Sequence, residues 1–593
     1  MKSFFKYFFA SLLAMIVALF LSIFIFVGAI ASLMTFDKPK VATVKPNTTI
    51  VFELNRSIVD RTSDNPFENF SFGELSGKSD KSSVGLNKIL ENLKKAKDDE
   101  NIKGVLLRPD MLSSGMATVE EIRNALIEFK ESGKFLISYA DIYTQKAYYL
   151  ASVSDKIYLN PEGVMQFNGL AGNVMLYKRT LDKLGVEPQV IRHGRFKSAV
   201  EPFIQDNISP ENRLQIETYL ESMWTHMLTG IGQARSIEVS ALRDYANQFA
   251  MLNPEVAVNN KMIDGARYYD EVCDEIKSLS ETDSTEDFNT ISLYKYTNVP
   301  GKKSDKLIID QSKIAIIYAQ GEIGTGKGSN TEIGVENISK ALAEARKDKS
   351  VKAVVLRINS PGGSALTSET ILREAKLTQK EKPLIVSMGN VAASGGYYIA
   401  CAADTIVASP NTITGSIGVF GIMFNAEKLL NSKLGITVNT VKTDQYADMG
   451  SQMRKMTHAE EQIIRQQIVR VYKTFVGHVS EARKMSFDEV DKIGEGRVWT
   501  GIDAKNVGLV DLFGGLNDAV RIAAEKAKVE DYRIVELPTL KDPFKVLLEE
   551  FETEVVARIS GDKIVAAKYL QHITSALKMS GIQARMEYDL DIN

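Results

Sequence analysis

Cysteine and histidine are scarce in this chain of 593 residues, with two of the first and five of the second. Cys273 and Cys401 lie in opposite halves and neither sits in a Cys-x-x-Cys or Cys/His pattern, so neither a disulfide framework nor a structural zinc site is expected. Charge of one sign is also lacking: the formal net charge is -3, which gives no reason to expect nucleic acid as a partner. Long hydrophobic runs are missing everywhere except at the N-terminus. Residues Tyr7 to Phe36 carry no charge and are dominated by Leu, Ile, Phe, Val and Ala. A membrane-spanning helix needs about 20 apolar residues, so this run is long enough to cross a bilayer. A cleaved leader is the alternative, with Lys2 and Lys6 as its basic start and Ala29-Ile30-Ala31 as the cleavage site. The run exceeds the roughly 7–15 apolar residues of a leader core, which favours an uncleaved anchor with the rest of the chain outside the cytoplasm.

What is present is a folding composition, 44% hydrophobic and 25% charged. A single core stops growing beyond roughly 250–300 residues, so two or more globular units are expected. The chain is in fact written twice. "GLNKILENLKKAKDDENIKGVLLR", Gly85 to Arg108, aligns without gaps on "GVENISKALAEARKDKSVKAVVLR", Gly334 to Arg357. The same register sets Tyr148-Tyr149 on Tyr397-Tyr398, Asp155 on Asp404 and Pro161 on Pro410. In the second copy an amphipathic helix pattern (Ile338, Leu342, Ala345) precedes a β-branched run, Val351 to Ile358, closed by Pro-Gly. A helix from Ser368 to Leu377, a strand from Pro383 to Ser387, a helix near Tyr397 to Ala402 and a strand from Thr405 to Ala408 follow. Near-continuous apolar strands alternating with helices predict an α/β unit with a parallel sheet covered on both faces. The expected division is an anchor over residues 1–36, a first unit over 37–277, a polar linker over 278–312, a second unit over 313–540 and a helical tail over 541–593.

Comparing the copies shows where chemistry has concentrated. One strand of the second copy runs into "RINSPGGS" and another into "GNVAASGGYYIA", with Ser394 between Ala393 and Gly395. The first copy answers with "RPDMLSS" and with Gln145 beside Lys146, so the fold alone does not demand the glycine pairs. A small-Ser-Gly-Gly turn at a helix start exposes the hydroxyl and directs backbone N–H groups at whatever it attacks. Gly395, with Gly362 or Gly363 from the neighbouring turn, would supply an oxyanion hole. Ala392 occupies the first glycine position of a Gly-x-Ser-x-Gly elbow, so the α/β-hydrolase motif is absent. A serine nucleophile needs a base. None of the five histidines lies near Ser394 in sequence. The repeat sets Lys197, in "GRFKSAVEPF", opposite Ala447, so one copy keeps the serine and the other the lysine. An ordinary lysine, with a pKa of about 10.4, is protonated at neutral pH, so a lysine base requires desolvation.

The stretches "RINSPGGS", "VAASGGYYIA", "GRFKSAVEPF" and "GRVWTGIDAKNVGLVD" resemble the signatures of the long signal peptide peptidase A (protease IV) family. That resemblance implies tandem Clp-protease/crotonase-type units, Ser394 as nucleophile and Lys197 as general base. It further implies a homotetramer anchored in the bacterial inner membrane, with its catalytic units in the periplasm and hydrophobic peptides such as signal peptides as substrates. No cofactor or metal is implied. A crotonase-type acyl-CoA enzyme is the rival within the fold, and predicts acidic catalytic side chains in a soluble compartment. A non-enzymatic scaffold is the other, and predicts loss of both Ser394 and Lys197.

Overall fold

The computed structural model describes residues 4, 6–8, 10–18, 21, 42–62, 83–110, 112–282, 287–301, 312–539, 582–586 and 591–592. The expected anchor falls largely outside these residues; among the described ones, no helix is long and apolar enough to cross a membrane.

Both copies form a parallel sheet flanked by helices. The first sheet runs Thr290–Ser292, Thr48–Glu53, Ile102–Arg108, Phe135–Tyr143, Lys156–Met165 and Gly265–Ala266, every neighbour pair parallel. The second repeats the pattern with Arg533–Leu537, Lys313–Gln320, Val351–Ser360, Leu384–Ala393 and Thr405–Ala408. Ile413–Gly415 pairs parallel with the end of Leu384–Ala393, and Val498–Thr500 closes that edge antiparallel. The periodicity that predicted these elements is used physically. Helix Val335–Lys347 buries Ile338, Ala341, Leu342 and Ala345, spaced to form one stripe, and carries Arg346 and Lys347 at its C-terminal end, where cations suit the helix dipole. Val351–Ser360 is apolar along most of its length because helices cover both its faces.

Two segments differ from expectation. Thr290–Ser292, within the expected linker, is the edge strand of the first sheet, paired with Thr49, Ile50 and Val51. Ile582–Arg585, within the expected helical tail, is a strand. Its alternation is too short to show in sequence, and what makes it a strand is the partners on either side.

The units are not separate bodies. Ile314, Ile316, Val355 and Ile385 of the second sheet, together with Leu516 and Ala519, share one apolar core with Leu107, Val119, Ile122 and Tyr149 of the first unit. A buried ionic cluster crosses the same boundary: Arg357 donates from Nε to Asp60 (2.9 Å) and from Nη2 to Glu121 (2.7 Å). Most consequential is a third sheet, ordered Glu332–Ile333, Glu322–Ile323, Gly362–Ser364, Ile582–Arg585, Val419–Asn425 and Glu187–His193. Its last strand comes from the first copy and pairs antiparallel with Val419–Asn425 over seven residues, from Val419 on His193 to Asn425 on Glu187. The chain leaves that strand and reaches Lys197 four residues later.

Candidate active site

Ser394 ends the strand Leu384–Ala393 and caps the helix Gly395–Ala400 with φ 53° and ψ -110°. Such a conformation costs a non-glycine residue on the order of 1–3 kcal/mol and persists only where surrounding bonds fix it. Here the Ser394 N–H donates to the Gly415 carbonyl (2.8 Å) and its own carbonyl accepts from Tyr398 (2.8 Å). The two glycines after it are required by space. A Cβ on Gly395 would lie 2.8 Å from Ser368 Oγ, and one on Gly396 would lie 2.9 Å from the Ser360 carbonyl. The opposing turn also needs glycine: Gly362 has φ +99°, and a Cβ there would come within 2.7 Å of the Gly395 nitrogen. The Gly362 N–H donates to Ser360 Oγ at 3.1 Å, within its own turn. The other two donors expected at the oxyanion hole, Gly363 and Gly395, flank the site on its two turns.

Lys197 arrives from the first unit. Its Nζ donates to Ser394 Oγ at 2.7 Å, to Ser416 Oγ at 3.0 Å and to the Ser416 carbonyl at 3.2 Å. Lys197 is 1% exposed and Ser394 0%. The lysine turn is held from both units. Phe196 N–H donates to the Glu495 carbonyl (3.0 Å), and Gly496, at φ +85°, lies so close that a Cβ would meet Lys197 Cα at 2.7 Å. From below, Arg192 Nη1 donates to the Lys197 carbonyl (3.2 Å) and to Glu201 (3.3 Å). The buried Glu201 carboxylate also accepts from Ser209 Oγ (2.6 Å) and Asn212 Nδ2 (3.1 Å).

Ser416 was not among the residues singled out from sequence. It too has a positive φ, 50°, and its N–H donates to the Arg497 carbonyl at 2.7 Å. The repeat register that sets Ser394 on Gln145 sets Ser416 on Phe167. That asymmetry was the available signal. Phe167 is buried against Tyr148 and Trp224, and Gln145 Nε2 donates to the Gly169 carbonyl at 2.6 Å, closing the equivalent site of the first copy. Gly169 answers Gly418 in the register, whose carbonyl stands 3.5 Å from Ser394 Oγ.

His193 makes no hydrogen bond to Ser394 among the described residues. Its ring lies against Tyr472, with centroids 4.2 Å apart. Burial holds its pKa below the ordinary histidine value, partly opposed by Asp491 and Glu495. His226 and His478 pair with Glu120 (3.3 Å) and Glu369 (2.9 Å). Among the described residues no group of three or more His, Cys, Asp or Glu is arranged to hold a metal ion.

The family model described as Peptidase family S49 matches residues 128–283 and 376–530, once in each unit. Protease 4 of Salmonella typhi is 36% identical over 457 residues, which is 75% of this chain and 72% of that protein. The chloroplastic serine protease SPPA of Arabidopsis thaliana is 34% identical over 512 residues, 85% of this chain and 74% of that one. Protease 4 of Haemophilus influenzae is 35% identical over 467 residues, 77% and 75% of the respective chains. A solved ClpP1 chain of Listeria monocytogenes aligns with 35% of this chain and 94% of its own at 18% identity and a TM-score of 0.24, too low to bear on the fold. Two matches to one peptidase family, and relatives alike over most of both chains, show that this chain belongs to peptidase family S49 and is a serine-type peptidase.

Proposed function

We propose that the chain is a membrane-bound endopeptidase working through a Ser394/Lys197 dyad, degrading hydrophobic peptides such as cleaved signal peptides on the periplasmic side of the bacterial inner membrane. The observation that carries the dyad is the 2.7 Å contact between Lys197 Nζ and Ser394 Oγ, both buried. In this reading neutral Lys197 takes the Ser394 proton as Oγ attacks the peptide carbonyl, and the N–H groups of Gly395 and Gly363 stabilise the oxyanion. The Lys197 ammonium returns its proton to the leaving amine, giving an acyl-enzyme. Lys197 then activates the water that cleaves it. Burial supports the assignment because a desolvated site disfavours the ammonium form that could not act as base. Ser416 aims the amine at Ser394 in both steps. The pocket beside Lys197, lined by Phe196, Ser416, Gly496 and Val498, has room for about one water molecule.

The tandem α/β units, with the serine at a strand-to-helix turn, support the Clp-protease/crotonase-type reading of the fold. The uncharged run Tyr7 to Phe36 supports an N-terminal anchor holding the site near the bilayer surface. The exposed apolar residues Leu434, Ile436, Val438 and Val441 support assembly into a homotetramer, since monomeric proteins rarely leave such a run uncovered. The test is to treat carbonate-washed membranes with a fluorophosphonate probe and locate the label. Ser394 is expected to carry it, and Ser394→Ala to lose both label and peptide hydrolysis without a change in unfolding. A label elsewhere, or wild-type hydrolysis by Ser394→Ala, overturns the assignment.

A further inference from the structure

The strand Ile582–Arg585 lies in an unusual place. It fills the gap between Gly362–Ser364 and Val419–Asn425 and pairs antiparallel with both. On one side Gly362 faces Arg585, Gly363 faces Ala584 and Ser364 faces Gln583. On the other, Phe420 faces Gln583 and Gly421 faces Ile582. One strand spacing is about 4.8 Å, so without this segment the two edges would stand roughly 10 Å apart, each with an unpaired ladder of N–H and C=O groups. A slot of that width takes one extended peptide, recognised by its backbone.

The register puts the segment across the reacting atoms. The Ala584 carbonyl oxygen is the nearest atom to where a Cβ on Gly362 would lie (2.2 Å) and is 3.0 Å from the same position on Gly395. That oxygen therefore stands between the two glycine turns on which a substrate carbonyl would be polarised. Beyond it the chain continues as a bound peptide would, with Met586 N–H donating to the Pro361 carbonyl at 2.8 Å. Arg585 and Met586 line the pocket beside Lys197 and Ser416. Arg585 also pairs with Glu322, on the strand that neighbours Gly362–Ser364. Every residue from Gln583 to Met586 is buried, Ala584 completely.

We infer that Ile582–Met586 is a built-in pseudosubstrate, a strand of the chain's own C-terminal region that occupies the substrate position and must leave before another peptide can be cleaved. The inference rests on the Ser394/Lys197 reading and adds its regulation. A tethered strand competes at an effective concentration in the millimolar range, so an affinity for the slot of even ~0.1 mM keeps it about nine-tenths occupied and slows turnover about tenfold.

The experiment compares full-length chain, a chain ended after Gly581, and Ala584→Glu, which sets a charge in the enclosed position and expels the strand without shortening the protein. Two rates are read: hydrolysis of a short fluorogenic peptide and fluorophosphonate labelling of Ser394. Both are expected to rise about tenfold in at least one variant. The synthetic peptide Ile-Gln-Ala-Arg-Met is expected to inhibit that variant competitively and the full-length chain far less. If both variants unfold like wild type, label at Ser394 and hydrolyse no faster, the strand is not an inhibitor and the inference falls. Absence of labelling at Ser394 in the full-length chain and in both variants counts instead against the Ser394/Lys197 reading.

Discussion

Replacing Asp60 by alanine tests whether the boundary between the two units is what holds the dyad together. Asp60 belongs to the first unit and Arg357 to the second, and their side chains are 2% and 1% exposed. Glu121 completes the cluster with a 2.7 Å contact to the same guanidinium and a second hydrogen bond from the Leu516 N–H, also 2.7 Å. Burial works against the Arg357 charge, yet Glu121 and Asp60 more than offset it, and its pKa lies above the ordinary arginine value. Removing one partner of a buried pair costs about 3–5 kcal/mol, because the remaining charge is left without compensation. Glu121 still faces Arg357 after Asp60→Ala, which places the expected loss near the lower end, about 3 kcal/mol. Asp60 does more than balance charge. Its Oδ2 accepts from Asn359 Nδ2 (2.7 Å), and Asn359 Oδ1 accepts from the Val391 N–H (3.2 Å), three residues before Ser394. Losing Asp60 therefore loosens both strand ends that carry the reacting turns, and a displacement near 1 Å costs about a hundredfold in rate. Asp60→Ala is expected to lower the urea midpoint of the full-length chain by the equivalent of about 3 kcal/mol and to cut turnover at least tenfold under conditions where it remains folded. Asp60→Asn, which keeps one of the two acceptor oxygens, should lose less of both. A change in stability below about 1 kcal/mol with unchanged turnover would refute the reasoning, since Asp60→Ala leaves the buried Arg357 Nε without its acceptor and an unsatisfied buried donor costs about 1–3 kcal/mol.

Lys197→Ala and Lys197→Arg are both expected to lose nearly all turnover, arginine because it stays protonated at any usable pH, whereas His193→Ala should keep most of it. Wild-type activity should rise with pH and level off as the neutral Lys197 amine becomes the major form; an inactive His193→Ala beside an active Lys197→Ala would reverse the roles. Ser416→Ala removes one of the three acceptors around Lys197 Nζ, and a hydrogen bond to the ammonium that Lys197 becomes on taking the serine proton is worth about 1.5–3 kcal/mol, so kcat should fall roughly ten- to a hundredfold with KM little changed. An effect confined to KM would show that Ser416 touches substrate instead of aiming the lysine.

Much of the architecture is legible in the residues themselves. The strands Val351–Ser360 and Leu384–Ala393 follow from apolar, β-branched runs, and helix Val335–Lys347 from its stripe of Ile338, Leu342 and Ala345, because side-chain periodicity is a local property. Two copies in one chain make the differences between them informative, and Ser394 against Gln145 marks the unequal turn in the sequence itself. Ser416 against Phe167 carried the same kind of signal, but a serine in a glycine-rich stretch gives no sign of the positive φ that turns its hydroxyl to Lys197. The remainder depended on tertiary structure. Lys197 and Ser394 stand 197 positions apart, and they meet because Glu187–His193 leaves its own unit to pair with Val419–Asn425. Nothing within seven residues specifies a partner more than 200 positions away; the pairing is chosen by which sheet edge lies open when both units have packed. Asp60 and Arg357 are, in sequence, two ordinary charged residues, and only the shared core that buries them makes them an interlock. The strand at Ile582 is decided the same way: five residues of unremarkable composition become extended because two edges at the active site leave a space one strand wide.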